Sequence, residues 1–173
     1  NDTKISQKEL IGTLNTVIFC PEDLQLIKGS PSGRRRFLDM EISQTSATYY
    51  HQLLQYNRLL QQRNTLLKEY RGKQNIPLAE WDVQLADMAA FIVKKRMESL
   101  KKINLLIDLM NRKLTGGLEN LTIGYEQPYG EEGHMVYTKE AFYDLLQEAL
   151  PQDRHRMTTS VGPHRDDLRF FSD

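Results

Sequence analysis

The chain has 173 residues, of which 39% are hydrophobic and 27% charged, and its 23 basic side chains equal its 23 acidic ones. This length suffices for one domain with its own core, and the zero net charge excludes any inference about partners from charge alone. The single cysteine, Cys20, excludes an internal disulfide and fits a reducing compartment. No apolar run reaches the roughly 18 residues of a membrane span. We expect no signal peptide and therefore a cytoplasmic protein without membrane contact. Because the sequence begins at Asn1 rather than at methionine, we expect a piece of a longer protein.

The first thirty residues predict a strand followed by a connector. Residues 14–19 are a short β-branched and aromatic run, which is typical of a buried strand. A proline then ends the strand, and Glu22 and Asp23 follow in the position of the first turn of a short helix. Ser30 and Pro31 provide an N-cap and a first helical residue for the next helix.

Three consecutive arginines, Arg34, Arg35 and Arg36, lie in that next helix. They point in three directions around the helix axis, so they cannot all serve one ligand. Two interpretations remain open. Either the helix is solvated and one arginine pairs with Asp39 or Glu41, or the arginines bind phosphate or a partner surface.

Residues 46–114 contain two long helical patterns, around which the rest of the chain is organised. In each pattern, apolar residues recur at alternating steps of four and three, which places them on one helix face. A basic residue interrupts each seam. The first seam consists of Tyr49, Leu53, Tyr56, Leu60, Arg63, Leu67 and Tyr70. The second consists of Leu85, Ala89, Ile92, Arg96, Ser99, Ile103, Leu106 and Met110, and it is widened by Val93, Leu100, Ile107 and Leu114.

A break at residues 71–77 separates the two patterns. Gly72 stops the first helix and Pro77 prevents the second from starting earlier, so the two helices should fold back as an antiparallel hairpin. The second helix would be about 50 Å long at 1.5 Å per residue, and the wider seam near its end predicts that another element packs there.

The charges are unevenly distributed along the chain. Residues 31–115 contain fifteen basic and eight acidic side chains, whereas the flanks together contain the reverse. A solvated face, in which Glu98 pairs with Lys94 and Lys102, would be the plainer interpretation. We favour contact with the DNA backbone because little acid is available to neutralise the helix pair. The candidate contacts are Arg63, Lys94, Lys95, Arg96, Lys101 and Lys102.

The remainder of the chain predicts short strands and one helix. Leu118–Tyr125 alternates like a strand with one buried face, and Thr138 begins an amphipathic helix that Pro151 ends. Thr158–Val161 and Leu168–Phe171 look like the two strands of a hairpin. The predicted fold is therefore mainly α within the α+β class, with a long antiparallel helical hairpin and shorter helices on a small antiparallel β-sheet.

The turn between the last two predicted strands contains His164, Arg165, Asp166 and Asp167. Such a group is more often a hydrogen-bond cluster satisfied within itself than a site. Metal binding is not expected anywhere in the chain, because the four histidines are scattered and there is no cysteine cluster.

Four blocks of sequence resemble the RecF family of bacterial recombination mediators, which belongs to the SMC and ABC-type ATPase class. The blocks are VIFCPEDL at 17–24, KGSPSGRRRFLD at 28–39, YNRLLQQRNTLLK at 56–68 and TTSVGPHRDDL at 158–168. They occur in the family's order and spacing. The resemblance covers nearly the whole chain but only the middle of the family's proteins, the helical lobe called domain II.

The nucleotide-binding motifs of that class are missing from this sequence. It contains no Gly-x-x-x-x-Gly-Lys-Ser/Thr loop, no apolar strand ending in paired acids and no ABC signature. The resemblance implies ATP and magnesium for the parent protein, which resembles a weak ATPase, and no cofactor for this fragment, which should be inactive alone.

The resemblance also implies roles for particular residues. In SMC and ABC ATPases a Q-loop occupies the position of Glu22, Asp23 and Gln25, although the first two depart from a glutamine. These residues and the turn at 164–167 would meet the nucleotide lobe, and the arginines at 34–36 would lie at a dimer or partner interface. Residues 1–29 would connect to the ATPase lobe, residues 30–117 would form the helical arm, and residues 118–173 would return to the lobe.

The implied function is that of a DNA repair, recombination and replication protein of the SOS response. Its SMC-like, coiled-coil lobe would bind single-stranded DNA and duplex junctions. The parent would form a homodimer with ATP and act with RecR and RecO to load RecA at gaps. The alternative is a stand-alone helical scaffold without a nucleic-acid role, whose seams form a homodimeric coiled coil. Arg63 and Arg96 would be costly in such a dry interface.

Overall fold

The computed structural model describes Cys20 and residues 24–73, 75–129 and 134–172. The predicted strand at 14–19 and the acidic pair Glu22 and Asp23 lie outside these residues. The described elements, in chain order, are α1 (Gln25–Lys28), α2 (Pro31–Thr45), α3 (Ala47–Glu69), α4 (Ala79–Thr115), β1 (Leu121–Glu126), α5 (Lys139–Glu148), α6 (Leu150–Arg156) and β2 (Asp167–Ser172).

The two long helices, α3 and α4, form the predicted antiparallel hairpin. The Ser46 hydroxyl caps α3 by accepting a hydrogen bond from the Tyr49 amide at 3.2 Å. Gly116, with φ of 67°, ends α4 in the left-handed conformation that glycine adopts without strain. Contacts run from the start of α3 to the middle of α4 and from the end of α3 to the start of α4, which is possible only if the helices are antiparallel. At 37 residues, α4 is about 55 Å long.

The core lies where α2, α3 and α5 pack against the first two thirds of α4. Tyr49, Tyr56 and Leu67 of the first seam are buried, as are Leu85 and Ile92 of the second. A single apolar cluster joins these helices to the small sheet. Its buried members are Leu38, Ile42, Tyr49, Tyr56, Leu85, Ala86, Ala89, Ile92, Val93, Leu100, Ile123, Phe142, Leu146, Val161 and Leu168.

The last third of α4 differs from the sequence prediction. Leu106, Met110 and Leu114 were expected inside, but they are 61%, 58% and 85% exposed. The reason is the unequal length of the two helices. The first turn of α3 lies beside Arg96, so α4 extends beyond α3 from about residue 100 onward. Only the side of α4 that faces β1 remains covered there, through Ile103 and Ile107.

The two described strands form one antiparallel pair, in which Leu121 lies opposite Ser172 and Glu126 opposite Asp167. The Asn104 side chain of α4 binds the outer edge of β1, donating to the Ile123 carbonyl at 2.9 Å and accepting from its amide at 2.8 Å. The sheet is thereby joined directly to the long helix.

The prediction that Thr158–Val161 is a strand is wrong. This segment is a loop, and the pairing partner of β2 is β1. Side-chain oxygens replace a strand partner here, because the Thr159 amide donates to Asn64 Oδ1 at 2.8 Å and the Ser160 amide donates to Asp153 Oδ1 at 2.9 Å. Because these amides already have hydrogen-bond partners, they do not need to pair with a neighbouring strand.

The ends of the shorter helices also refine the predictions. The Thr138 hydroxyl caps α5, as predicted, by accepting from the Ala141 amide at 3.2 Å. Pro151 does not end a helix but lies in the first turn of α6, where a missing N–H is harmless. Helix α2 starts at Pro31 as predicted, although the Ser30 hydroxyl bonds to Ser32 Oγ and does not cap the helix.

Candidate nucleic-acid interface

Four lysines of α4 form a basic surface, which we call the lysine stripe: Lys94, Lys95, Lys101 and Lys102. Lys94, Lys101 and Lys102 are exposed, and Lys95 is partly exposed. Residues seven apart on a helix are nearly in line, so the stripe consists of two parallel pairs, each spanning roughly 10 Å along the axis. This distance matches the axial rise of about three phosphates on one DNA strand.

One acidic residue, Glu98, lies between the two halves of the stripe. It accepts a hydrogen bond from Lys95 Nζ at 2.7 Å, three residues away on the helix. Glu98 is therefore paired with Lys95, and not with Lys94 and Lys102 as in the plainer interpretation of a solvated face. Those two lysines act at longer range, and their charges add to the Lys95 hydrogen bond in lowering the pKa of Glu98. One carboxylate cannot neutralise four ammonium groups, so the stripe keeps a positive surplus.

Arg63 does not belong to this surface. Its side chain is fully buried, and its guanidinium binds Asp82 Oδ1 at 2.6 Å, Asp153 Oδ2 at 2.7 Å and Thr159 Oγ1 at 2.9 Å. These partners come from α4, α6 and the loop after it. The prediction that Arg63 contacts DNA is wrong, because no phosphate can reach a buried guanidinium that is already bound by two carboxylates.

Arg96 is likewise a core residue and not a DNA contact, because it is 2% exposed. Its guanidinium binds both oxygens of Asp39 at 2.9 Å and donates to the Pro163 carbonyl at 2.7 Å and the Tyr125 hydroxyl at 3.1 Å. The pairing is bidentate and joins α2 to α4, with the loop before β2 as a third partner. Asp82 and Asp39 are the carboxylates that balance Arg63 and Arg96, the basic residues in the two seams. The sequence alone could not distinguish them from the other acidic residues.

Asp166 is the buried centre of the turn before β2. It is inaccessible to solvent and accepts hydrogen bonds from the hydroxyls of Tyr125 and Tyr129, the latter at 2.5 Å. Burial raises the pKa of Asp166 to about 6, although the two phenols and the nearby Arg96 favour its charged form. Nothing in the residue pattern indicated that the two tyrosines meet this carboxylate.

His164 is held between two groups. Its Nε2 lies 3.0 Å from the Thr159 carbonyl, which can only accept, so we assign the ring proton to Nε2. Nδ1 then accepts from the Tyr56 hydroxyl at 2.6 Å. Burial lowers the pKa of His164 to about 4, so the ring is neutral near pH 7. Arg165 is exposed and donates to the same Thr159 carbonyl at 2.7 Å and 3.0 Å. These partners lie outside residues 164–167, so the turn is satisfied by other parts of the fold and not within itself.

The three consecutive arginines have separate environments, as their positions around α2 require. Arg34 forms a bidentate pair with Asp167 at 2.7 Å and 2.8 Å, and not with Asp39 or Glu41, the partners named in the first of the two open interpretations. Asp39 is unavailable because Arg96 binds it. Arg35 donates to the Asp166 carbonyl at 2.6 Å, and Arg36 is exposed and makes no hydrogen bond or ion pair with a described residue.

The remaining candidates for a nucleotide-lobe interface are only partly described. Gln25 is exposed in the first turn of α1, while Glu22 and Asp23 lie outside the described residues. Among the residues that the structure describes, no group of three or more His, Cys, Asp or Glu side chains could hold a metal ion. The sequence has no phosphate-binding loop, and the described residues provide no cluster of acids for magnesium, so the described part of the chain does not fit an ATP and magnesium site. None of the described helices is long and apolar enough to cross a membrane.

Comparison with known proteins places these features in a family context. No protein-family model matches the chain. It is 45% identical over 166 residues to the DNA replication and repair protein RecF of Alkaliphilus oremlandii, a match that covers 95% of this chain and 45% of the relative. It is 41% identical over 172 residues to the protein of the same name from Clostridium beijerinckii, covering 99% of this chain and 46% of the relative.

Two solved structures of the recombination mediator protein RecF of the RecFOR pathway share the fold. The one designated RecF-ATPrS matches with a TM-score of 0.88 and 34% identity, over 96% of this chain and 46% of that chain. The one designated RecF-ATP matches with a TM-score of 0.84 and 35% identity, over 95% and 45%. The chain thus spans slightly less than half the length of these relatives. By sequence and by fold, it is similar to that part of the RecF proteins.

Proposed function

We propose that this chain is the DNA-contacting lobe of a RecF-like repair protein and that the lysine stripe binds backbone phosphates. The observation that supports this most directly is the presence of four accessible lysines on one helix with a single acid between them. Contacts between lysine and phosphate fix position without reading sequence, which suits a protein that acts at DNA gaps of any sequence.

The two buried arginines do not belong to the proposed DNA interface. Arg63 and Arg96 are matched inside the chain by Asp82, Asp153 and Asp39, so they add no accessible charge. The accessible positive charge of α4 is therefore concentrated on the stripe and at the end of the helix. At the end, Arg112 is already paired with Asp108 at 3.0 Å.

The wider role that we propose follows the relatives. Within the parent protein, the lobe would connect through residues 1–29 and 118–173 to an ATPase half that binds ATP and magnesium and dimerises. The dimer would act with RecR and RecO to load RecA at single-stranded gaps. Arg36 is the arginine of α2 that stays available for a dimer or partner surface. Two findings support this role. The relatives are named DNA replication and repair proteins, and the two similar RecF structures are designated RecF-ATPrS and RecF-ATP.

The alternative function, a homodimeric coiled-coil scaffold, has less support. Such a dimer would need the two apolar seams to face a second copy. Tyr49 and Tyr56 of α3 and Ile92 of α4 are instead buried within one chain, with exposures of 0%, 1% and 0%. The central parts of both seams are therefore already used.

DNA binding of a charge-reversed variant would test the proposal. In this variant, Lys94, Lys95, Lys101 and Lys102 are all changed to Glu, and binding to short single-stranded and duplex DNA is measured by fluorescence anisotropy across a salt series. If all four lysines contact phosphates, the logarithm of the duplex affinity falls against the logarithm of salt concentration with a slope of about −3.6. Between 50 and 200 mM salt, this slope weakens wild-type binding by about 100-fold, and the variant should not bind at all.

A matched control carries the same change in net charge at another location: Lys28, Lys68, Lys113 and Lys139, all exposed, are changed to Glu. If net charge alone attracts DNA, the control and the stripe variant lose binding equally, and the stripe is not the interface. Wild-type protein that fails to bind even at low salt would refute the proposal for this chain.

A further inference from the structure

A cavity of about 480 Å³ opens between α2, the first half of α3 and the turn at Pro163 and His164. Part of its wall is apolar, formed by Met40, Tyr50 and Leu53. The polar part includes the side chains of Arg35, Arg36, Gln44 and Asn57. A pocket of this size, with an apolar wall and a few converging polar groups, has the usual form of a small-molecule site.

The charges at the cavity wall do not balance. Arg96 and Asp39 both line the cavity, but they form a bidentate pair with each other, and Asp39 also accepts from the Tyr49 hydroxyl at 2.5 Å. His164 is neutral near pH 7. The charges that remain at the cavity wall are the guanidiniums of Arg35 and Arg36. No carboxylate among the described residues forms an ion pair with either of them.

Arg35 shows the imbalance directly. Among the described residues its guanidinium has one hydrogen-bond partner, the Asp166 carbonyl, which leaves most of its five N–H groups unused. Burial and the neighbouring charge of Arg96 lower the pKa of Arg35, and the carboxylates of Asp166, Asp167 and Asp39 only partly oppose this. A partly desolvated cation beside another cation would be stabilised by an anion in the cavity.

We propose that this cavity binds a phosphate monoester, with Arg35 and Arg36 on the phosphate and the apolar wall against the body of the molecule. A monoester carries nearly two negative charges at neutral pH and has three acceptor oxygens, which matches two unpaired guanidiniums and the amides of Gln44 and Asn57. An internal DNA phosphodiester has only one negative charge, so it matches two guanidiniums less well. The monoester could be a free small molecule or the 5′-phosphate at the end of a DNA strand.

Calorimetric titration of the chain distinguishes these sources. The small-molecule arm uses inorganic phosphate and AMP, and the strand arm uses the same short single-stranded oligonucleotide with a 5′-phosphate or a 5′-hydroxyl. The test variant is Arg36→Gln, because Arg36 is exposed and makes no described contact whose loss would unfold the protein. The matched control is Arg58→Gln, another exposed arginine that does not line the cavity. Thermal unfolding verifies that both variants are folded.

The proposal predicts that wild type and Arg58→Gln bind AMP and inorganic phosphate, or prefer the 5′-phosphorylated strand, and that Arg36→Gln weakens this binding by about tenfold or more. AMP binding without a strand preference identifies a free phosphate ester, and a strand preference identifies a DNA end. The proposal is overturned if wild type binds neither AMP nor inorganic phosphate and shows no preference for the 5′-phosphorylated strand, or if Arg36→Gln and Arg58→Gln behave alike. The stripe variant separates the two sites, because loss of the lysines should abolish DNA backbone binding while AMP binding is retained.

Discussion

Removing the Arg63 guanidinium should be among the most damaging single changes in this protein. Arg63→Met keeps most of the side-chain volume and its helix propensity, so the change isolates the charge. In the native protein, Arg63 lies between two buried carboxylates, Asp82 at 1% exposure and Asp153 at 0%. Each of these carboxylates also accepts from another group: Asp82 from the Gln147 amide at 2.9 Å, and Asp153 from the Ser160 amide and hydroxyl.

The expected magnitude follows from what the variant leaves behind. Breaking a buried ion pair by deleting one partner typically costs about 3–5 kcal/mol, because the other charge stays buried without compensation. Here two carboxylates lose their cation, and the remaining amide and hydroxyl donors stabilise them only partly. We therefore expect the upper part of that range. In a chain of this size, a cost of about 4–5 kcal/mol corresponds to a melting temperature lower by about 8–20 °C.

Urea unfolding followed by circular dichroism measures this loss. Arg58→Gln on the same helix is the control, and a surface change of that kind should stay within about 0.5 kcal/mol of wild type. Adding Asp82→Asn to Arg63→Met removes one stranded charge and should recover part of the stability. A cost below about 1 kcal/mol for Arg63→Met, or no recovery in the double variant, would contradict the argument that stranded charges dominate.

Two further predictions concern the turn before β2. Burial lowers the pKa of His164 to about 4 in the folded chain, so below pH 6.5 the unfolded chain binds a proton at this residue more readily than the folded chain does. The free energy of unfolding therefore decreases as pH falls. Relative to His164→Gln, the wild type should therefore lose up to about 1.4 kcal/mol per pH unit between pH 6.5 and 4.5 in denaturant titrations; parallel curves would contradict this. Gly162→Ala should cost about 1–3 kcal/mol, because Gly162 has φ of 127° and an added Cβ would lie 2.5 Å from the Tyr56 hydroxyl. The comparison is Gly33→Ala in α2, where a Cβ meets nothing closer than 3.9 Å, and this change should be neutral or slightly stabilising; equal losses in the two variants would refute the steric explanation.

The helical hairpin could be predicted from sequence because its signals are local. Apolar spacing and the two breakers between the arms, Gly72 and Pro77, act through the backbone of their own segment. Helices α3 and α4 lie where these signals placed them. The pairing of β2 was missed for the opposite reason. Thr158–Val161 has the composition of a strand, but its amides bind Asn64 and Asp153, which are distant in sequence or belong to another element.

The same difference between local signals and tertiary contacts applies to the predicted DNA interface. Lys94, Lys95, Lys101 and Lys102 were placed on one stripe by helical periodicity alone, because residues seven apart lie on one face of any helix. Arg63 and Arg96 instead interrupt the two apolar seams, and they are buried ion-pair residues. Charge and spacing do not reveal whether a basic residue in a seam faces solvent or a carboxylate from another element. That outcome depends on which acids the tertiary fold brings within hydrogen-bond distance, and here it brings Asp39, Asp82 and Asp153.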